Sequence, residues 1–167
     1  MPKEFKAAPW GGRVWGVTLF VCGLFLAMIL AAVFVFSEMP WPLRALIAGS
    51  ASGILGVTAL FIVKGYVLDR GSLLVRRAFW STRVDLGGLK SAVADASACE
   101  RAWKTAGNDG LFAMHGWFYS KRLGSFRAFV TNPAFAVILE FGTKRVVISP
   151  EDPAAFVAAV VPDSCRA

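Results

Sequence analysis

Charge is scarce in this chain: only 17% of its 167 residues are Asp, Glu, Lys or Arg, against roughly 25% in soluble domains. Histidine occurs once and cysteine three times, with Cys22, Cys99 and Cys165 far apart. An odd, scattered set cannot build a secreted disulfide framework. It also supplies too few soft ligands for a typical zinc or iron–sulfur centre, so no metal site is expected. No GxxxxGK[ST] loop is present, and Gly107-Asn108-Asp109-Gly110 reads as a turn, so no cofactor is expected. Nor is there a GxSxG elbow, and the lone His115, beside aromatic strand candidates, reads as structural. Non-catalytic function, with no catalytic residues, follows as the expectation. Acidic residues are also few, 11 against 18 Lys and Arg, for a net charge of +7. That excess alone would have to carry nucleic-acid binding, and membrane orientation accounts for it equally well, so no nucleic-acid partner is expected.

What abounds is apolar. Hydrophobic residues make up 56% of the chain and mean hydropathy is +0.58, which excludes disorder. Between Arg13 and Glu38 the only ionisable side chain is Cys22, and Val14–Phe36, as a helix, would extend ~34 Å. That exceeds a hydrocarbon core of roughly 30 Å, and the run is too long for a signal-peptide core. A second uncharged run, Ala45–Val63, would extend ~28 Å. The organisation expected is an N-terminal flank at 1–13, spans at 14–36 and 45–63, and an external connector at 37–44. Pro40 and Pro42 are expected to stop both helices, and Arg44 to face Glu38. Gly49 and Gly53 match the GxxxG spacing, and with Gly56 they are expected to pack inside this hairpin rather than between copies. Lys3, Lys6 and Arg13 before the first span, and Lys64, Arg70, Arg76, Arg77 and Arg83 after the second, place both termini in the cytoplasm. Trp10, Trp15 and Trp41 suit the two interfacial aromatic belts.

Beyond Lys64 the pattern breaks into short segments separated by turn residues. Strands are expected at Tyr66–Asp69, Leu73–Trp80, Arg83–Leu86, Leu89–Ala94, Gly116–Ser120, Phe126–Thr131, Ala136–Phe141 and Arg145–Ser149. Residues 95–110 read either as a short helix or as an insertion. Asp152 is a good N-cap and Pro153 a good first helical residue; Phe156, Val157, Val160 and Val161 then recur at helical spacing, and Pro162 ends the helix.

Several of these residues resemble one family, the bacterial pleckstrin-homology-like membrane proteins. The resemblance lies in Tyr66-x-x-Asp69 with Leu73-Leu74-Val75, in Gly110-Leu111-Phe112 with Gly116-x-Phe118, in Leu123-Gly124-x-Phe126, in Val130-Thr131, and in Ser149-Pro150-Glu151-Asp152-Pro153-x-x-Phe156. It implies an α+β membrane protein: a two-helix transmembrane hairpin, then a cytoplasmic domain at 65–161 and a tail at 162–167. The domain would be a partly open barrel of two packed antiparallel sheets, capped by a C-terminal helix whose Asp152 caps and whose Pro153, Phe156 and Val160 plug it. The implied role is non-catalytic binding or scaffolding at the bacterial plasma membrane, integral to the bilayer and engaging membrane or protein partners. The alternative is a structural subunit of a larger membrane complex, or a homo-oligomer, assembled through the small-residue helix faces. The candidate contact residues are Arg76, Arg77, Lys121, Arg122, Arg127, Lys144 and Arg145, whose attraction to anionic headgroups would be nonspecific. The loop Arg70-Gly71-Ser72 is too short for the phosphate cradle of phosphoinositide-binding relatives, so that property is not carried over.

Overall fold

The computed structural model describes residues 2–142 and 144–161. Helix α1 (Gly12–Leu30) runs on into a π-helical turn over Ala31–Val35, and α2 (Trp41–Ala59) returns after a short connection. Both are long and apolar enough to cross a membrane. The second helix lies four residues earlier than expected at each end. Pro40 is its N-cap and Pro42 sits in its first turn, where the missing N–H has no intrahelical partner to lose; the prolines open this helix. At the other end Leu60, Phe61 and Ile62 tighten into turns that carry the chain toward the sheets. Arg44 does not face Glu38. Its Nε donates to the carbonyl of Ala32 at 2.7 Å and its Nη2 to that of Val33, satisfying carbonyls that the end of a helix leaves open. Nor do the glycines seal the hairpin. A Cβ at Gly49, Gly53 or Gly56 would meet nothing within 4 Å, whereas the buried small residues of the pair are Ala32 and Ala51.

The remaining chain builds two sheets. The first is antiparallel, with β1 (Lys3–Lys6), β2 (Gly65–Asp69), β3 (Ser72–Arg76) and β4 (Ser81–Asp85) side by side in that order. The expected N-terminal flank is therefore partly a strand of the domain, with Phe5 opposite Tyr66 and Lys6 opposite Gly65. Four mostly polar residues carry no strand signal; they pair because β2 offers an open edge. The second sheet holds β5 (Ser91–Ala94), β6 (Trp103–Asp109), β7 (Met114–Ser120), β8 (Gly124–Val130), β9 (Val137–Phe141) and β10 (Lys144–Ile148), in the order β5-β9-β10-β8-β7-β6. It is mixed rather than antiparallel throughout. After β8 the chain turns through a 3-10 segment, Pro133–Phe135, and lays β9 one place further out. Strand β10 fills the gap and runs parallel to β8, with Val146 opposite Arg127.

Alternate residues of the two sheets meet in a core that includes Tyr66, Leu73, Val75, Phe129, Leu139, Val146 and Ile148. Helix α3 (Pro153–Val160) closes it. The Asp152 side chain accepts from the Ala155 N–H at 2.9 Å, Phe156 is fully buried against Phe5 with ring centroids 5.0 Å apart, and Val160 packs on the core margin. Burial of a side chain the size of Phe156 contributes about 1.5–3 kcal/mol. The outer face of the second sheet is covered too: Met114, Phe118, Phe126, Val130 and Val147 pack with Ala98 and Cys99. Residues 95–102 are thus a turn segment that shields a sheet face, followed by β6. Pro162, Cys165 and the 162–167 tail lie outside the described residues, as does Thr143 of the β9–β10 turn.

Polar contacts lock the helices to this domain. The buried Tyr66 hydroxyl donates to the Phe129 carbonyl at 2.6 Å and accepts from the Ser149 N–H at 3.1 Å, and burial pushes its pKa up to about 12. The segment between β1 and α1 is sewn down by Ala8 N–H to the Ser149 carbonyl at 2.9 Å, Gly11 N–H to the Thr131 carbonyl at 3.1 Å, and the Thr131 hydroxyl to the Ala8 carbonyl at 2.7 Å. From the other side, the Thr18 hydroxyl of α1 donates to the Gly110 carbonyl and accepts from the Phe112 N–H. The helix pair therefore leaves the domain in a fixed direction.

Candidate functional site

Strand β4 ends the first sheet, and among the described residues its outer edge pairs with no strand. Between that edge and the second sheet lies a cleft of about 520 Å³, lined by Arg83, Val84 and Asp85 of β4, Trp117 of β7, Arg127 of β8, Phe141 of β9, and Lys144, Arg145 and Val146 of β10. Alternation places these side chains: Arg127 lies between the core residues Phe126 and Ala128, so its side chain belongs to the opposite face. The structure thus brings Arg127 together with the adjacent Lys144 and Arg145, and adds Arg83, which the sequence marks only as part of the basic flank that sets topology.

Their charges are not equally free. Arg145 is committed: its Nε lies 2.7 Å from Glu140 Oε1 and its Nη1 donates to the Leu123 carbonyl. That guanidinium, together with the Ser91 hydroxyl, holds the Glu140 carboxyl below the usual carboxylate range. Arg83 donates to the Ser72 hydroxyl at 3.0 Å, and Asp85 accepts from the Gly87 N–H. Among the described residues neither Arg127 nor Lys144 pairs with a carboxylate. The cleft therefore offers three cations without a carboxylate partner among the described residues, Arg83, Arg127 and Lys144, against one carboxylate, Asp85, together with an exposed indole at Trp117 and a free strand edge. That combination suits an extended acidic segment: backbone groups pair with the edge, and carboxylates meet the cations.

The other expected contact residues lie elsewhere. Lys121 and Arg122 line a larger cleft of about 1000 Å³ with Glu100, Arg101, Trp103, Lys104 and Asp109. Both signs of charge meet there, and several partners are already taken. Arg122 pairs with Asp95 at 2.7 Å, and Arg13 with Asp109 at 2.8 Å. Hydrogen bonds from Ser97 and Arg122 hold the Asp95 carboxyl below its ordinary value despite the opposing effect of burial. Arg76 pairs with Glu4 at 3.3 Å. Arg77 is buried at the helix-side end, its guanidinium carbon 5.1 Å from the Phe61 ring centroid and 5.4 Å from that of Phe129.

His115 stacks flat on Phe61, with centroids 4.8 Å apart and planes 4° from parallel. Burial, reinforced by the neighbouring Arg77 charge, lowers its pKa to about 4, so it is neutral at pH 7. Its Nδ1 is buried without a partner among the described residues, and the ring serves as a packing surface for the end of the helix pair. The Cys99 thiol is buried and pushed up to about 11, which makes it a poor nucleophile.

Comparison with known proteins adds one finding. The family described as Bacterial PH domain matches residues 64–162, from the residue before β2 through α3. It leaves β1 and both long helices outside the match. No curated protein and no solved structure matches.

Proposed function

Because this chain belongs to the bacterial PH domain family, we propose that it is a membrane-anchored, non-catalytic binding protein whose domain engages an acidic segment of a partner protein. The two apolar helices cross the bacterial plasma membrane, with the connector outside and both termini in the cytoplasm. The lysine and arginine excess at the domain end of both helices supports this orientation. One observation carries the binding reading: among the described residues, Arg127 and Lys144 have no carboxylate partner and sit in a cleft beside the unpaired edge of β4. Position favours a protein partner over lipid at the Lys144 end of the cleft. Lys144 opens the strand β10, whose far end pairs near Phe129 at the helix side. It therefore stands roughly 13 Å from that end, at about 3.3 Å per residue. That exceeds a Debye length of about 8 Å at physiological ionic strength, so a bilayer surface would attract it weakly.

A photo-crosslinking residue at Trp117 of the full chain, activated in native membranes, should give one defined protein adduct. In an Arg127→Glu, Lys144→Glu variant its yield should fall roughly tenfold, the effect of losing about 1.4 kcal/mol of complementary charge. An Arg122→Glu control should retain it. Adducts with lipid alone, no protein adduct, or an adduct indifferent to the charge reversal would each overturn the reading.

The outward glycines favour a second reading, a structural subunit assembled within the membrane. Gly49, Gly53 and Gly56 recur on one face of α2 and touch nothing in this chain, which leaves room for another helix to approach closely. If so, Gly49→Leu with Gly53→Leu should abolish co-purification of a partner helix or second copy in mild detergent. Unchanged recovery would remove this reading and leave the first intact.

A further inference from the structure

Helices that span a bilayer mark on the protein where the hydrocarbon begins. Counted back from Val35 at the outer end, about 20 residues cross a hydrocarbon core of roughly 30 Å, which puts the inner boundary near Gly16 of α1. Counted forward from Trp41, the same length of α2 reaches its inner boundary near Leu60. Tilt lengthens the stretch a helix needs and moves both markers toward the domain.

Parts of the domain stand at that level. Thr18 is about 3 Å inside the α1 marker, and it holds the β6–β7 turn: its hydroxyl donates to the Gly110 carbonyl and accepts from the Phe112 N–H. A Cβ on Gly110 would stand 3.2 Å from a methyl of Val17, so this turn lies directly on the helix. On the other side Phe61, next to the α2 marker, stacks on His115 of β7 and meets Trp80 of the β3–β4 loop edge-on, with centroids 4.8 and 5.1 Å away. Phe79, beside Trp80, is 81% exposed. Trp10 touches both Trp15 and Phe112, an aromatic group of the kind found where acyl chains give way to headgroups.

The turn is also built to stand without water. The Gly110 N–H donates to the Ala113 carbonyl, and the Asn108 side chain accepts from the Leu111 N–H and donates to the Leu111 carbonyl. Thr18 serves Gly110 and Phe112. Irregular backbone at bilayer depth is tolerated only where the protein itself satisfies its polar groups. Charge is withdrawn from this surface as well: Asp109 pairs with Arg13 at 2.8 Å, and Arg77 is 8% exposed among the Phe61, Trp80 and Phe129 rings.

We propose, resting on the reading that both helices span a bilayer, that the β6–β7 turn and the tip of the β3–β4 loop are inserted in the cytoplasmic leaflet. Leu111, Phe112 and Phe79 there meet the upper acyl chains. The domain is thus held against the membrane at two points beside its helices instead of swinging on a tether.

The test uses the full chain in vesicles of phosphatidylcholine and phosphatidylglycerol, with a fluorescent amino acid introduced at one position at a time. Phosphatidylcholine brominated near the top of its acyl chains then replaces the plain lipid. A fluorophore at Leu111 or Phe79 should lose most of its emission. One at Lys121, roughly 20 Å away at the other end of β7, should keep it. One at Leu24, in the middle of the α1 span, should be quenched more strongly by lipid brominated near the chain ends. Should the label at Leu111 prevent folding, the exposed Phe79 position still decides. Quenching at Leu24 with Leu111 and Phe79 no more affected than Lys121 overturns the insertion and leaves the spans intact. Quenching at Lys121 equal to that at Phe79 also overturns it. No quenching at Leu24 sinks the bilayer reading itself, and the insertion with it.

Discussion

Residues 65–161 expressed alone are expected not to fold, whereas a chain keeping residues 2–11 and 60–161, with the helix pair replaced by a Gly/Ser linker, is expected to fold and melt cooperatively. The difference is the first strand and the strap behind it. Without them β2 has an open edge, Phe156 loses Phe5, and Ser149 and Thr131 lose their bonds to Ala8. Uncovering a phenylalanine-sized contact costs about 1.5–3 kcal/mol. Three hydrogen bonds, those of Ala8 with Ser149 and Thr131 and that of Glu151 N–H with the Lys6 carbonyl, are worth about 1 kcal/mol each. Together these approach the whole stability of a small domain, about 5–15 kcal/mol. The linked chain is feasible because Ala7 and Lys64 are neighbours, the N–H of one 3.4 Å from the carbonyl of the other. A linker of about eight Gly/Ser residues has a root-mean-square reach of ~15 Å. Thermal melts followed by circular dichroism check both chains. A matching cooperative transition in 65–161 would show that β1 is dispensable.

Replacing Gly116 with alanine should be nearly as damaging to the full chain. Gly116 faces Gly107 across the β6–β7 pair, and both adopt positive φ, +121° and +119°. A Cβ on Gly116 would stand 2.8 Å from the Gly107 Cα, and it would press harder still on the Ala106 carbonyl oxygen. Those are backbone atoms, so relief requires the strands to part. Strain at the dihedral costs about 1–3 kcal/mol and the overpacking about 1–3 more. The hairpin would also release the loop that bonds Thr18 of α1, loosening the join between helices and domain. We expect the melting midpoint in detergent to fall by about 12 °C, within a range of roughly 4–24 °C, taking about 2–6 kcal/mol at roughly 2–4 °C per kcal/mol for this chain length. Gly88→Ala serves as the control, since a Cβ there meets nothing within 4 Å and should leave the midpoint unchanged. Equal melting of both variants would refute the steric account.

The cation sites show where sequence reading stops. Arg127 and Lys144 were recognised as basic positions, but so were Lys121 and Arg122, and nothing local separates the two pairs. The separation comes from partners: Asp95 reaches Arg122 across 27 positions of chain, while among the described residues Arg127 meets no carboxylate and lies over the Phe129 ring, 4.9 Å away. Arg83 became part of the cleft only when β4 was left at a sheet edge. Arg77 looked like half of an ordinary basic pair with Arg76, yet alternation along the loop buries one and exposes the other.

Features written in neighbouring residues were legible from the sequence alone. Two long uncharged runs fold as helices because each backbone group finds its partner four residues away. The cap at Asp152 and Pro153 needs only the next turn, and the strands from β2 onward other than β6 carry their own signal, whereas β6 lies in the 95–110 stretch that reads as a short helix or an insertion. Tertiary structure alone decided what depends on distant partners. Strand β1 exists because β2 offers it an edge, β10 lies parallel to β8 because β9 is displaced, the glycines of α2 face outward because alanines fill the hairpin, and Arg77 is left without an acceptor. Hydrogen bonding along a helix or turn is local and leaves its mark in the residue pattern. Pairing between strands and neutralisation of charge join positions tens of residues apart, so only the folded chain shows which edges and which cations remain free.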